Sequence, residues 1–379
     1  MATEWLVSGM TTHFQSKANI SFRLRSLDLK WEQNALGKYS EFFAADGNSK
    51  PDGLQRWRHL QNPAGDTFAV IAQEDSKPDT WAALYVTSPV VFDVAGKQIL
   101  GSQSLDTLTG SAYRGHGLFP RLAQEVYGTS ETTGVHFVYG FPNASSAPGF
   151  FGRLEWTNLG SVPFLIKPLR VSYFSNQLAR RLGLAPTRIE PGDNIDLSQA
   201  LLATDLSQFP IERLERFDEE ATRLWERNTQ STTVGVRRDA KYLNWRLFDR
   251  PDAHYCVLGH KDAHGINGYV AFAGARKHGG TIGYILELIV SPDRPAVAAS
   301  LLKAATRILR TAGADAVLAW CLPHSSPYST FRWNGYWPLP ERLRPIELHF
   351  GVRSFDPALR DILGDRRRWY LSYLDSDTV

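Results

Sequence analysis

The residues from 113 to 119 could bind a phosphate group. They read Tyr-Arg-Gly-His-Gly-Leu-Phe and join a predicted strand, 99–109, to a predicted helix, 118–127. Glycines at 115 and 117 allow a sharp turn in which several backbone N–H groups face one point. The first N–H groups of a helix have no partner within it, and its N-terminal dipole end attracts anions. The spacing predicts a phosphate cradle, although a tight turn without a ligand would also explain these glycines.

Two better-known phosphate motifs do not fit this segment. No Gly-Lys-Ser/Thr follows, so it is not a Walker loop, and the third glycine of a Rossmann fingerprint is missing. The cradle, if it binds a ligand, belongs to a different class of site.

The chain contains two copies of one pattern, which is the sequence sign of a repeated structural unit. Trp57 and Trp245 lie 188 positions apart, and each is followed by an arginine, then a proline and a strand-like run. The later matches share an offset of 181: Leu105–Asp106 with Leu286–Glu287, Pro142 with Pro323, Phe150 with Phe331 and Trp156 with Trp337. A shorter surface loop accounts for the change of offset at little cost.

The second copy lacks the cradle. At the offset of 181, Arg114, Gly115 and Gly117 stand opposite Pro295, Ala296 and Ala298, and Asn143 stands opposite His324. We therefore expect one copy to bind a phosphate-bearing ligand and the other to be retained for shape or for the second substrate.

Composition limits the class of protein. The chain has 379 residues, 43% of them hydrophobic, and a net charge of +3, so it is globular rather than disordered and too weakly basic to predict nucleic-acid binding. Cys256 and Cys321 lie in apolar runs and are expected to be buried thiols rather than metal ligands or a disulfide. No run of about 20 apolar residues and no signal peptide is present. We expect a cytoplasmic protein.

The order of elements indicates the fold class. Both halves read as helix, antiparallel meander, helix, strand and helix, which indicates an α/β (α+β mixed) fold with a mixed, mostly antiparallel sheet in each of two tandem domains. We predict domains at 1–183 and 201–379, joined by a linker at 184–200. The finer predictions include separate strands at 81–86 and 90–94, a connecting helix at 173–182 and an amphipathic helix at 211–227 that opens the second half.

These motifs resemble the GNAT superfamily of acyl-CoA-dependent N-acyltransferases. The family signature, Arg/Gln-x-x-Gly-x-Gly/Ala between a strand and a helix, fits the segment from Arg114, except that Phe119 replaces the final small residue. The resemblance implies that acyl-CoA, as acetyl-CoA or a longer acyl-CoA, is the co-substrate. The backbone of Gly115, Gly117 and Leu118 would hold its pyrophosphate, with the side chains of Arg114 and His116 as further candidates.

The resemblance also assigns the rest of the CoA site. The strand before the cradle would pair with the pantetheine arm, Asn143 would hold that arm, and the backbone at Leu108 and Thr109 would stabilise the developing oxyanion. The family's thiolate-protonating Tyr falls here on Phe150 or Phe151, so that acid is missing.

Three side chains are candidates for catalysis. Asp106 lies where the family often carries a carboxylate, and Glu287 occupies the equivalent position of the second copy. His324, after Pro323 at a strand end, could act as a base because histidine titrates near neutrality. Each has a structural alternative: a solvated or fold-internal carboxylate for Asp106, a buried ion pair for Glu287 and a loop histidine for His324.

The whole chain looks like the tandem GNAT proteins, some of which acylate nucleotide-linked amino sugars for surface polysaccharide. The resemblance implies an N-acyltransferase whose primary-amine substrate attacks the thioester directly. The alternatives are a CoA-binding sensor or scaffold without catalysis, a Fem-type aminoacyl transferase, and acylation of another small amine. Because two fused copies supply the pseudo-dimer, we expect a monomer.

Overall fold

The structure is a computed structural model. It describes residues 11–16, 20–170, 194–229, 232–252, 254–263, 265–277, 279–344 and 346–378. The predicted helix at 173–182 and residues 184–193 of the predicted linker lie outside these ranges. The predicted domain limits therefore stay predictions.

Strands and helices alternate along the described chain. The strands are β1 (Thr11–Gln15), β2 (Ser21–Ser26), β3 (Phe68–Glu74), β4 (Lys77–Val94), β5 (Lys97–Thr109), β6 (Phe137–Gly140), β7 (Thr157–Ser161), β8 (Phe164–Pro168), β9 (Glu212–Arg213), β10 (Val234–Val236), β11 (Cys256–Asp262), β12 (Gly265–Lys277), β13 (Gly280–Val290), β14 (Ala316–Trp320), β15 (Trp337–Pro338) and β16 (His349–Ser354). The α-helices are α1 (Ala35–Ala45), α2 (Asp52–Leu60), α3 (Leu118–Thr132), α4 (Ala147–Arg153), α5 (Ser198–Ala203), α6 (Glu219–Thr229), α7 (Ala240–Leu247), α8 (Pro295–Thr311), α9 (Tyr328–Trp333) and α10 (Arg360–Gly364).

The chain forms two compact units. The first unit contains residues 1–91, 99–159 and 349–364, and the second contains residues 92–98, 160–348 and 365–379. β8 follows the first copy of the sequence pattern but pairs with β14 in the second unit. β16 follows the second copy but pairs with β6 in the first unit.

The sheet of the first unit runs in the order β1-β2-β3-β4-β5-β6-β16. Neighbouring residues of β3 alternate between two cores, as a pleated strand requires. One core packs beneath α1 and includes Tyr39, Ile71 and Trp81; the other packs beneath α3 and α4 and includes Val70 and Tyr85.

β5 extends well beyond the strand with which it pairs in parallel. The parallel pairing of β5 with β6 joins residues 101–103 to residues 137–139, and β5 continues to Thr109 beyond that register. This end of β5 leads into the glycine turn and α3, which is the order of elements that the sequence predicted.

The sheet of the second unit runs in the order β15-β8-β14-β13-β12-β11-β9. Parallel pairing of β13 with β14 covers 282–285 and 316–319, and β13 runs on to Val290. Ile285 pairs with Phe272 and Glu287 with Ala271, so Leu286 is the extra residue of a β-bulge. A large core beneath α8 includes Leu301, Leu302 and Ile308.

Several local predictions were wrong at their boundaries. The predicted helix at 211–227 begins only at Glu219, because Glu212 and Arg213 instead form β9 against β11. The two strands predicted at 81–86 and 90–94 are one strand, β4, which keeps extended geometry through Pro89. The helix α2 and the strand β16 were missed. By contrast, Cys256 and Cys321 are buried and unbridged, as predicted.

Candidate functional site

The predicted cradle forms an open turn between β5 and α3. Gly115 and Gly117 adopt left-handed backbone angles, φ 87° and 75°, which favour glycine. A Cβ at either position would meet no atom of the described residues within 4 Å, so the turn faces open space. Gly117 is the N-cap of the 15-residue helix α3 and has no side chain with which to cap it. The exposed helix N-terminus is therefore available to an anion.

The two polar side chains of the cradle have partners in the first unit. Arg114 lies at the surface, and its Nη2 is 3.1 Å from Oδ1 of Asp46. The ring Nδ1 of His116 lies 3.2 Å from the hydroxyl of Ser16. Arg114 can exchange an exposed ion pair for a phosphate at small cost, because such pairs contribute little in water.

Two further residues of the motif belong to the core rather than to the turn surface. Leu118 is buried beneath α3. Phe119 packs edge-on against Phe150, with ring centroids 5.0 Å apart, and against Tyr85 at 5.8 Å. A Cβ on Gly149 would lie 2.7 Å from the Phe119 ring. Phe119 thus fills the space that a small residue would leave between α3 and α4.

A buried hydroxyl network lies next to this aromatic cluster. The Tyr85 hydroxyl donates to Ser104 at 2.9 Å and lies 3.1 Å from the Tyr127 hydroxyl, which accepts a hydrogen bond from Trp156 Nε1 at 3.0 Å. Burial raises the pKa of Tyr85 well above its usual range and that of Tyr127 to about 12. Sequence reasoning missed this network. Tyr85 is the tyrosine that touches Phe150, where the family's acid was expected.

Asn143 shapes the turn that follows β6. Its Oδ1 accepts hydrogen bonds from the backbone N–H groups of Ser145 and Ser146, both at 3.0 Å. The side chain is exposed at the start of α4. The amide oxygen therefore fixes the loop, and only the Nδ2 group is left to meet a ligand.

The strand before the cradle changes face between Ser104 and Asp106. In a regular strand, side chains two residues apart lie on the same face of the sheet. Ser104, however, is hydrogen-bonded to Tyr85 of one core, and Asp106 is hydrogen-bonded to Tyr39 of the other. The change of face implies a local irregularity between the two residues, and Leu105 corresponds at the offset of 181 to the bulge residue Leu286. Beyond Asp106, Leu108 packs toward α1, and the Thr109 carbonyl accepts a 3.4 Å hydrogen bond from Arg114.

Asp106 lies in a buried cluster of opposite charge. Its Oδ1 is 2.7 Å from Lys50 Nζ, and its Oδ2 accepts hydrogen bonds from Tyr39 and, at 3.4 Å, from Arg58. Burial acts to raise the pKa of Asp106, but Arg58, Lys50 and the hydrogen bonds outweigh it and lower the pKa to about 2. A carboxylate of such low basicity, with both oxygens in contact with donors, is a weak proton acceptor.

Glu287 is also fully buried and paired. Its Oε2 is 2.9 Å from Arg238 Nε and accepts a hydrogen bond from Ser372 at 3.1 Å, while Oε1 accepts one from the Tyr370 hydroxyl. Arg238 also lies 2.7 Å from Asp375. Although burial disfavours its charge, Asp375 and Glu287 hold the pKa of Arg238 well above its usual range.

The two buried pairs occupy equivalent places in the repeat. Lys50 and Arg238 are 188 positions apart, as Trp57 and Trp245 are, and Asp106 and Glu287 are 181 apart. Sequence reasoning found both carboxylates but missed both cations. The offset of 188 that relates Trp57 to Trp245 also relates Lys50 to Arg238, so extending it to earlier residues would have identified both cations.

His324 lies at the turn after β14, and its Nε2 is 2.9 Å from the carbonyl oxygen of Trp369. Because a carbonyl only accepts, that nitrogen carries the proton. In the neutral ring, Nδ1 is then the nitrogen with a free lone pair. The predicted base therefore has a defined tautomer.

Comparisons with known proteins bear on this fold. No protein-family model matches the sequence, and no curated protein matches it. Among solved structures, the chain is similar to Saccharomyces cerevisiae N-myristoyltransferase with bound myristoyl-CoA, with a TM-score of 0.56 and 12% identity over 87% of this chain and 82% of that one.

Two bacterial structures are similar to a comparable extent. A probable N-acyltransferase from Enterococcus faecalis has a TM-score of 0.54 and 13% identity over 91% of this chain and 73% of that one. A GCN5-related N-acetyltransferase from Anabaena variabilis has a TM-score of 0.55 and 13% identity over 88% and 73%. These likenesses confirm the predicted GNAT-like mixed α/β fold.

No helix in the described part of the chain is both long enough and apolar enough to cross a membrane.

Replacing Arg238 with Leu is expected to lower the free energy of unfolding by about 3–5 kcal/mol, because it leaves Glu287 and Asp375 buried without their cation. Urea titration followed by tryptophan fluorescence measures the change. The exposed Arg342→Gln is the control and should shift stability by no more than about 0.5 kcal/mol. A loss below about 1 kcal/mol in Arg238→Leu would show that the pair is not buried as described.

Stability should also depend on pH through Asp375. Burial raises its pKa to about 6, from an ordinary value of 3.8, despite Arg238 nearby. The folded state therefore holds this proton more tightly than the unfolded state does. The Asp375 carboxyl therefore contributes up to about 3 kcal/mol to the free energy of unfolding. This contribution is complete below about pH 4 and is lost as the pH rises through about 6. The difference in unfolding free energy between the wild type and Asp375→Asn should fall across that window; a constant difference would contradict it.

Proposed function

We propose that the chain is an acyl-CoA-dependent N-acyltransferase and that the first unit binds the acyl-CoA. The observation that carries this proposal is the open turn at Gly115 and Gly117, which precedes the uncapped N-terminus of α3 at the end of β5 that extends beyond its parallel pairing with β6. Backbone N–H groups converging on such a turn suit a pyrophosphate. The likeness in fold to an N-myristoyltransferase with bound myristoyl-CoA supports the proposal.

The reaction would be a direct transfer. The amine nitrogen attacks the thioester carbon, the C–N bond forms, the C–S bond breaks, and CoA leaves as a thiolate that takes up a proton. The substrate ammonium group must first give up a proton to a base. Backbone N–H groups at Leu108 and Thr109, where β5 extends beyond its pairing with β6, are the proposed oxyanion donors.

The buried acids have a different role in this proposal. Because Asp106 is held ionised by Lys50 and Arg58, we assign it to positioning β5 and its irregular backbone rather than to proton transfer. Glu287, paired with Arg238, would do the same in the second unit. His324, the third candidate of the sequence, lies in the second unit and faces the cavity there, so it is not assigned to this transfer.

The identity of the acceptor is proposed from the resemblance in sequence alone. A nucleotide-linked amino sugar is the first candidate acceptor. The enzyme itself is proposed to be a monomer that works in the cytoplasm. Phe119 and Phe150 pack against each other in the core beneath α3 and do not identify the acyl group, so both acetyl-CoA and longer acyl-CoAs belong in the assay.

The Gly117→Asp substitution tests the cradle. Aspartate tolerates left-handed backbone angles better than most residues, but its carboxylate would repel the pyrophosphate. CoA affinity should fall at least about tenfold, which corresponds to 1.4 kcal/mol, as measured by isothermal titration calorimetry. Gly134→Asp is the matched control: Gly134 has φ 91°, faces open space and follows the opposite end of α3.

The control variant should bind CoA as the wild type does. Equal affinity of the wild type and Gly117→Asp would remove the cradle from the site. No binding of any CoA species by the wild type would defeat the function as a whole.

Turnover separates the enzyme from a CoA-binding sensor. Release of free CoA thiol is followed with acetyl-CoA, octanoyl-CoA or myristoyl-CoA and a panel of amines that includes uridine-diphosphate amino sugars and simple aminoglycosides. The transferase should release thiol only when a suitable amine is present, and Gly117→Asp should lose that rate. Tight CoA binding with no release for any amine would favour the sensor.

A further inference from the structure

The second unit has a cavity of about 240 Å³. It lies at the end of β13 (Leu288–Ser291), the start of α8, the turn after β14 that carries His324, and the C-terminal turn of residues 366–368. Its volume is below the range of about 300–1,000 Å³ that is usual for drug-sized ligands, so it suits a small molecule or one end of a larger one.

This cavity occupies the place in the repeat where the first unit has its cradle. At the offset of 181, Pro295 and Ala298 correspond to Arg114 and Gly117, and His324 corresponds to Asn143. The glycine turn of the cradle is absent here, since residues 291–298 contain no glycine, and Pro295 at the start of α8 has no N–H group. We therefore expect side chains to hold a ligand in the second unit.

Positive side chains outnumber negative ones around the cavity. Arg367 and Arg368 share the carboxylate of Asp365. The Nε of Arg367 is 3.1 Å from its Oδ1, and the Nε of Arg368 is 3.7 Å from its Oδ2. His324 faces the same space. None of the described residues that line the cavity is acidic. Guanidinium groups match the geometry of phosphate and carboxylate oxygens, so the charge favours an oxyanion and disfavours an ammonium group.

Hydroxyl groups and an apolar wall complete the cavity. Ser326, Ser329 and Thr330 line it together with Ser325, whose buried hydroxyl has no hydrogen-bond partner among the described residues. A buried polar group without a partner costs stability unless a ligand or water satisfies it. The opposite wall includes Ile289, which is buried and apolar.

We propose that the second unit binds, in this cavity, a small molecule that carries an oxyanion next to an apolar or planar group. Arg367 and Arg368 hold the oxyanion, the serine hydroxyls donate to it, and the apolar wall contacts the remainder. The site is separate from the acyl-CoA site of the first unit and does not depend on the function proposed above.

Calorimetric titration of the full chain tests this proposal with phenyl phosphate, benzoate and inorganic phosphate, with and without saturating CoA. Phenyl phosphate should bind with 1:1 stoichiometry whether or not CoA is present, and more tightly than inorganic phosphate because of its ring. Tighter binding of benzoate instead would identify the oxyanion as a carboxylate. Both results support an oxyanion site.

Two variants locate the binding. The double variant Arg367→Gln/Arg368→Gln should weaken the preferred probe at least about tenfold, whereas Arg367→Lys/Arg368→Lys, which keeps both charges but not the guanidinium geometry, should lose less affinity than the Gln variant does. Arg342→Gln, an exposed arginine outside the cavity, should have no effect. CoA affinity should be unchanged in all three, and the thermal midpoint of each shows that it folds.

Three outcomes would overturn the proposal. The first is no binding of any probe below a Kd on the order of 10 mM. The second is unchanged affinity in the double Gln variant. The third is competition by CoA combined with loss of probe binding in Gly117→Asp, which would place the probes in the first unit. Failure of CoA to bind at all would defeat the proposed function but leave this titration valid.

Discussion

Each unit buries a carboxylate at the same place in the repeat, Asp106 in the first and Glu287 in the second, and the surrounding structure must satisfy it. A charge removed from water costs several kcal/mol unless a partner and hydrogen bonds accompany it. In the first unit, Lys50, Arg58 and Tyr39 surround Asp106, which joins α1, α2 and their connection to the middle of β5. In the second unit, Arg238 joins Glu287 on β13 to Asp375. Asp106 and Glu287 both lie just beyond the register in which two parallel strands pair, which ends at Gln103 in β5 and at Ile285 in β13.

That location connects the buried charges to the site. A strand that leaves its parallel neighbour exposes backbone groups and needs other contacts to stay in place. Asp106 supplies such contacts for β5. The glycine turn and the start of α3 therefore begin from a strand end that is held in place. The same device in the second unit fixes the end of β13 beside a cavity rather than a cradle. We therefore propose two kinds of anion-binding chemistry on one scaffold, with backbone N–H groups in the first unit and side chains in the second.

The local errors of prediction have a common cause. The pattern at 211–227 has apolar residues at helical spacing, yet Glu212 and Arg213 pair with β11 because the sheet edge offers hydrogen bonds that periodicity cannot reveal. Two strands were predicted at 81–86 and 90–94, but β4 is one strand that continues through residues 87–89. The strand β16 was missed because its partner, β6, lies more than 200 positions earlier in the sequence.

Sequence alone predicted the repeat, the glycine turn and the mixed-sheet fold, because residue offsets, glycine positions and strand periodicity can all be read from the chain without knowing its distant contacts. The structure confirms the turn and the fold. The sequence also identified Asp106, Glu287 and His324 as unusual. Only the tertiary structure showed what surrounds them: the cations that pair with the two acids, the carbonyl of Trp369 that fixes the His324 tautomer, and the arginines that line the cavity of the second unit. These partners come from distant segments, and protonation and charge balance depend on such contacts rather than on residue type.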